Sequence, residues 1–249
     1  MAKTVILTDL RTREARDAAD YLSLQGYDVI SVPETVCLWK ECALRGWAEQ
    51  LSGNLAGVVH PMPPPFLSLL LDTTEEEYAR ARDEGPLAAW CVTKVFGEIM
   101  RKQGCGSLIY LGSIHAEKPV GHGFLFSAGC DAIQMLAREA NQDYGRAGVR
   151  SYYIQRGPGQ GDPDLRNDLS PFYFGTDLRY PERKMPKEGN LNPLLAFLLT
   201  PGAAPLAGSD LRADGGMSMY YGERITEAQS REIRLQAAEG KEVSIIGEE

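Results

Sequence analysis

Residues 106–157 read GSLIYLGSIHAEKPVGHGFLFSAGCDAIQMLAREANQDYGRAGVRSYYIQRG. Ser107–Leu111 is a short apolar run with the composition of a buried strand. Phe126–Tyr144 carries apolar residues at helical spacing and is closed by Gly145. Val149–Gln155 is again a strand. A strand, a long helix and a strand in one short span make a βαβ unit, whose strands must run parallel.

The flanking segments repeat the alternation. Thr4–Thr8 is a β-branched strand, Arg11–Gln25 a helix ended by Gly26, and Tyr27–Val32 a second strand. Val36–Leu51 has helical spacing, and Leu55–His60 is a strand that stops at the break HPMPPP. Thr74–Arg82 is a polar helix capped by Thr73 or Thr74, and Pro86–Gln103 a long helix closed by Gly104. Leu191–Leu199 is a short apolar helix ended by Pro201, and Leu206–Ala213 a last strand turning at Gly215–Gly216. The reading is α/β, a Rossmann-like doubly wound parallel sheet in one domain over residues 1–221. Residues 222–249 hold a surface helix, Thr226–Ala238, and a charged tail. The irregular segment Gly161–Gly189 lies where a ligand lid would sit, or is an ordinary exposed loop.

Composition narrows the partners. A length of 249 residues with 43% hydrophobic content suits one large core. The net charge of -8 argues against nucleic acid or an anionic membrane. No apolar run approaches the roughly 20 residues that span a bilayer, and MAKTVILTDL reads as a strand rather than a signal peptide. Five cysteines (Cys37, Cys42, Cys91, Cys105, Cys130), an odd number with no C-x-x-C pair, fit a reducing cytoplasm. Three dispersed histidines (His60, His115, His122) give no metal-site spacing.

Several stretches resemble the short-chain dehydrogenase/reductase family over roughly residues 3–216. MRKQGCGSLIYLGSI, REANQDYGRAGVRSYYI and LRADGGMS match its active-site strand, its following helix end and strand, and its closing turn. Each functional motif departs from the family pattern. The T-G-x-x-x-G-x-G nucleotide loop has Asp9, Arg13 and Ala15 at its glycine positions, and Pro33 stands where an acidic residue would hold the ribose, with Glu34 one place late. A carboxylate about 4 Å from a phosphate costs about 4 kcal/mol at an effective dielectric near 20, so Asp9 is expected to repel a dinucleotide unless Arg11 and Arg13 offset it. The interval before LAGVVH is short, which implies a missing or altered strand on the adenine side. Of the catalytic tetrad, Ser113 is kept, while Gly85, Phe126 and Cys130 replace asparagine, tyrosine and lysine.

What these departures imply is a non-catalytic subunit without cofactor of its own. It would assemble, through helices 86–103 and 126–144, with an intact homologue that carries NAD, as in two-subunit alcohol dehydrogenases acting on an aromatic acyl-CoA. The apolar residues expected at that interface are Leu87, Ala88, Trp90, Val95, Phe96 and Met100 in the first helix, and Ala132, Met135, Leu136 and Ala140 in the second. Alternatives remain. A sensor would bind a metabolite without turnover, and an altered enzyme would take an anion on Arg11, Arg13 and the lid. A Ser–His–Asp hydrolase would use Ser113 with His115 or His122 and Asp131, but no G-x-S-x-G elbow is present. Arg156 near the cleft either holds an anionic ligand or makes a structural ion pair.

Overall fold

The computed structural model describes residues 3–62, 66, 68–118, 123–160, 180–182, 184–187 and 189–219. Six strands form one parallel sheet: β1 Lys3–Leu7, β2 Tyr27–Ser31, β3 Leu55–His60, β4 Gly106–Ser113, β5 Val149–Arg156 and β6 Asp210–Ala213. Their spatial order is β2-β1-β3-β4-β5-β6. The connecting helices are α1 Arg13–Leu24, α2 Glu41–Ala48, α3 Glu75–Arg82, α4 Ala88–Gln103, α5 Phe124–Tyr144 and α6 Asn192–Leu198.

Parallel strands with helices on both faces must be apolar on both sides. Here alternate residues divide cleanly. Val5, Leu7, Ile109, Leu111, Tyr152 and Ile154 face a core that includes Leu22 of α1 and Leu195 and Leu198 of α6. Ile6, Leu108, Tyr110 and Tyr153 face the opposite core with Leu44 of α2, Phe96 of α4 and Ile133 of α5. At Gly112 a Cβ would stand 2.0 Å from the Tyr153 hydroxyl oxygen, so glycine lets that ring lie against β4.

The adenine-side expectation is met: among the described residues no strand lies beyond β2. The helix expected over 36–51 is shorter. Residues up to Lys40 form turns, with the Val36 amide on the Pro33 carbonyl (2.9 Å) and the Lys40 amide on the Cys37 carbonyl (3.1 Å). Val36 and Leu38 still pack against the core, which is why their spacing imitates a helix. Thr74 caps α3 in a capping box with Glu77. Pro86 lies inside a π turn, Asp83–Leu87, that leads into α4. Gly145 stays right-handed, and Gly148 supplies the left-handed residue (φ 78°) that ends the α5 extension. The last strand starts at Asp210 because Pro201–Leu206 winds into a 3-10 helix. The expected C-terminal helix, and all but a few residues of the 161–189 segment, lie outside the described residues.

The two long helices differ from expectation as an interface. Val95, Phe96, Met100 and Ala140 are buried in the chain's own core, and Ala88 is buried too, because helix faces that cover a parallel sheet are consumed by it. Trp90 (43% exposed) and Met135 (50%) are the large apolar residues of the expected set that face outward.

Candidate functional site

The chain runs from β1 outward to β2 and then returns to β3 on the other side of β1. Such a reversal opens a crevice beyond the carboxyl ends of the two central strands, where doubly wound folds bind ligands. Three groups of residues line that edge.

The first is the β1–α1 loop. Asp9 accepts hydrogen bonds from the Arg11 backbone N–H (2.7 Å), Nε (2.9 Å) and Nη2 (2.7 Å). That hydrogen bonding to Asp9 holds the Arg11 guanidinium above its ordinary pKa. The uncompensated charge expected at Asp9 is therefore corrected, because Arg11 neutralises it. Thr12 caps α1, its side chain accepting from the Ala15 amide. Arg13 opens the helix, and Arg16 donates to the carbonyls of Leu10 and Arg11. Ala15 is buried, its methyl accommodated where a glycine was expected. Pro33 follows the end of β2, and Glu34 lies within electrostatic reach of Arg11.

The second group closes β3. Thr8 Oγ1 and His60 Nδ1 are 2.7 Å apart across the crevice floor. His60 is 3% exposed, and burial lowers its pKa to about 4, so the imidazole is neutral. Its Nε2 is buried with no hydrogen-bond partner among the described residues. A buried polar atom left unsatisfied is costly, and this one sits at the ligand crevice.

The third group is the end of β4 and the start of α5. Ser113 is the last residue of β4 and caps the 3-10 turn Ile114–Ala116. Its Oγ accepts from the His115 backbone N–H (3.2 Å), and its own N–H donates to the Tyr153 hydroxyl (3.2 Å). The Phe126 ring lies edge-on to His115, with centroids 6.0 Å apart at 61°. His115 Nδ1 is 2.7 Å from the Lys118 carbonyl. Cys130 is fully buried beside Tyr153, and desolvation pushes its thiol up to about 12. Gly85 is buried in the π turn before α4, and that turn packs against α5 at Gly129. Arg156, paired in register with Ser113, reaches Glu14 of α1 at 3.5 Å.

Ser113 on β4 and Phe126 and Cys130 on α5 lie at one edge of the sheet. Sequence reading missed the Tyr153 hydroxyl, since strand alternation tells which face a residue takes but not which loop it meets. Among the described residues the hydrolase arrangement of Ser113 with His115 does not form. Ser113 meets the backbone of His115 rather than its ring, and the ring's Nδ1 is held by a carbonyl, not a carboxylate. Asp131 is exposed on α5, and His122 lies outside the described residues. Among the described residues no cluster of His, Cys, Asp and Glu has metal-site geometry, and no helix is long and apolar enough to cross a membrane. Arg150 is structural, donating to Thr200 O (2.7 Å) and Ser107 Oγ (3.0 Å).

A parallel sheet reversing at β1, a serine ending β4 and a long helix beside it define a Rossmann-fold dehydrogenase frame. The chain is a member of the short-chain dehydrogenase/reductase family: residues 4–218 match the family model described as enoyl-(acyl carrier protein) reductase. The 3-oxoacyl-[acyl-carrier-protein] reductase MabA of Mycobacterium avium is 24% identical over 155 residues, 62% of this chain and 60% of that protein. A tropinone reductase homologue of Arabidopsis thaliana is 22% identical over 164 residues, 60% of this chain and 56% of that protein. The chain thus matches about three fifths of the length of these curated relatives. Among solved structures, ElxO with NADP bound superposes with a TM-score of 0.79 at 16% identity, covering 88% of this chain and 100% of that one. A gluconate 5-dehydrogenase from Burkholderia cenocepacia, in complex with NADP and tartrate, gives 0.78 at 15% identity, covering 88% and 96%.

Two expectations are corrected by these findings. The chain was expected to be non-catalytic, yet its family is one of oxidoreductases and the relatives it matches are reductases. It was expected to hold no cofactor, yet neighbours of the same fold are solved with NADP, and a Tyr→Phe variant of ElxO is solved with NADPH. Of the two arginines that could offset Asp9, Arg11 pairs with it directly. A two-subunit assembly and an aromatic acyl-CoA have no counterpart in the names of these relatives.

Proposed function

We infer that this chain is a nicotinamide-dependent oxidoreductase that interconverts a carbonyl and an alcohol. The observation that carries the reading is the crevice at the reversal point, with Asp9 neutralised by Arg11 and a buried, unpartnered His60 Nε2 beside it. These residues fit a dinucleotide. The N-terminus of α1, with Arg11 and Arg13 around it, would hold the pyrophosphate. Glu34 would serve the ribose at the edge strand β2. When bound, the nicotinamide supplies or removes a hydride. The chain's own residues orient the reacting carbonyl, with Ser113 at the end of β4, and exclude water with Phe126 and the buried Cys130.

The substrate class we favour is an acyl thioester, in keeping with the carrier-protein reductases among the relatives. Association through α4 and α5 with an intact family member, carrying NAD of its own, is the second part of the proposal. The outward Trp90 and Met135 support it. The test is fluorescence titration of the purified chain with NADH and NADPH, followed by reduction of acetoacetyl-CoA with the reduced cofactor and oxidation of the aromatic thioester (α-hydroxybenzyl)succinyl-CoA with NAD+ or NADP+. Binding with turnover of either thioester is the expected result. Absence of binding by either cofactor refutes the reading. Light scattering, alone and after co-expression with an intact homologue, tests the association, and Trp90→Glu should weaken it.

A further inference from the structure

We propose that Glu117 is a positioning residue that holds the Ser113 hydroxyl in place for the reaction, by tying the turn after β4 to the ends of β5 and β6. The proposal rests on the nicotinamide-dependent reading above, in which Ser113 orients the reacting carbonyl. Ser113 is held at two points. Its backbone N–H donates to the Tyr153 hydroxyl at 3.2 Å, and its Oγ accepts from the His115 backbone N–H at 3.2 Å. The first contact fixes the strand end. The second fixes the side chain only as well as the turn itself is fixed. A hydroxyl that accepts from an amide has its one hydrogen to offer a substrate oxygen.

A single 3-10 turn such as Ile114–Ala116 holds little stability of its own. Its backbone bonds run from the Glu117 and Lys118 amides to the Ile114 carbonyl, at 3.1 and 3.0 Å. The anchor comes from the Glu117 side chain. One carboxylate oxygen accepts from Gln155 Nε2 at 2.7 Å, and the other accepts from Arg212 Nη2 at 2.9 Å. Arg212 Nε in turn donates to Gln155 Oε1 at 3.4 Å. The three side chains close a ring drawn from the turn, β5 and β6. In that ring the Gln155 amide nitrogen meets the carboxylate and its oxygen meets the guanidinium, so its orientation is set.

Gln155 is 2% exposed and pairs in register with Gly112, the residue before Ser113. The anchor point therefore lies within the sheet, beside the strand end that it steadies. Gln155, with Gln134 of α5 and Arg212 adding to it, holds the Glu117 carboxyl below the ordinary carboxylate range against the opposing effect of burial. The ion pair to Arg212 is open to solvent, with side chains 42% and 32% exposed, and contributes little. The bond to Gln155 does the anchoring. It is charge-assisted, and removing its acceptor leaves a buried amide N–H unpaired.

The experiment compares the full chain with Glu117→Ala, Glu117→Gln, Ser113→Ala and the double variant Glu117→Ala/Ser113→Ala. Amide hydrogen exchange without cofactor, NADPH affinity and acetoacetyl-CoA reduction are measured. Glu117→Ala should speed exchange at the Ser113 and His115 amides by roughly tenfold or more, with the amides of β1 and β3 unchanged. Its NADPH affinity should be that of wild type, because Glu117 is not among the cofactor-holding residues. Its kcat should fall by about 10- to 100-fold, and by about threefold or less in the Ser113→Ala background. Glu117→Gln, whose side-chain oxygen still accepts from Gln155, should lie between alanine and wild type in both exchange and kcat. A contribution to global stability alone would move all amides together and lower kcat equally in both backgrounds.

Unchanged exchange at Ser113 and His115 in Glu117→Ala overturns the proposal whatever the activity. So does a fall in kcat that is equal with and without the Ser113 hydroxyl. So does a wild-type chain that binds NADPH and turns over neither thioester. A chain that binds no NADPH overturns the cofactor reading instead, and the exchange rates still decide whether Glu117 holds the turn.

Discussion

Replacing Arg11 with alanine should weaken NADPH binding far more than it weakens the fold. The Arg11 side chain meets the Asp9 carboxylate through Nε at 2.9 Å and Nη2 at 2.7 Å, while remaining 59% exposed. An ion pair so open to solvent contributes about 0.2–1 kcal/mol to stability after screening. For binding, the loss is larger. Without Arg11, the Asp9 carboxylate, 14% exposed, faces the incoming pyrophosphate uncompensated. A like-charge contact at about 4 Å costs about 4 kcal/mol at an effective dielectric near 20. Relaxation and solvent reduce this, and a net loss of about 1–3 kcal/mol, or roughly 5- to 150-fold in Kd, is the outcome to look for. The assay is NADPH fluorescence titration at low and high salt, with a thermal melt as control. Because the two residues form one unit, a double-mutant cycle with Asp9→Asn isolates the coupling. Arg11→Ala should be costly alone and much less so in the Asp9→Asn background. An unchanged Kd, or the same loss in both backgrounds, would refute the reasoning.

Three other outcomes follow from the same structure. Gly112→Ala places a Cβ 2.0 Å from the oxygen of the fully buried Tyr153, and overpacking of about 3 kcal/mol should lower Tm by roughly 6–12 °C in differential scanning calorimetry. His60 has a folded pKa of about 4 against an ordinary 6.5, so the unfolded chain binds the proton first and stability should fall as pH drops from 6.5 to 4. The loss, roughly 3 kcal/mol, should be read by urea melts at stepped pH and be absent in His60→Gln. Burial raises the thiols of Cys91 and Cys130, whereas Cys42 and Cys105 are exposed, so iodoacetamide at neutral pH should label the exposed pair and reach the buried pair only on unfolding, as mass spectrometry of peptides will show.

The sequence by itself determined the order of elements, the parallel sheet and the loss of the adenine-side strand. Those follow from periodicity, glycine punctuation and segment length, all local properties of the chain. It also placed Ser113, Phe126 and Cys130 at one end of the sheet, since strand and helix register fix which residues reach an edge. Charge pairing was decided by tertiary structure: Asp9 looked like an obstacle until the turn folded Arg11 back onto it. So was burial, because the spacing of Val95, Phe96 and Met100 suits a partner's surface or the chain's own sheet equally well, and only packing chooses the sheet. The placement of the His115 ring belongs to the same class. It depends on a carbonyl three residues away and a ring eleven residues away being brought to the imidazole, and short-range pattern carries no information about that convergence.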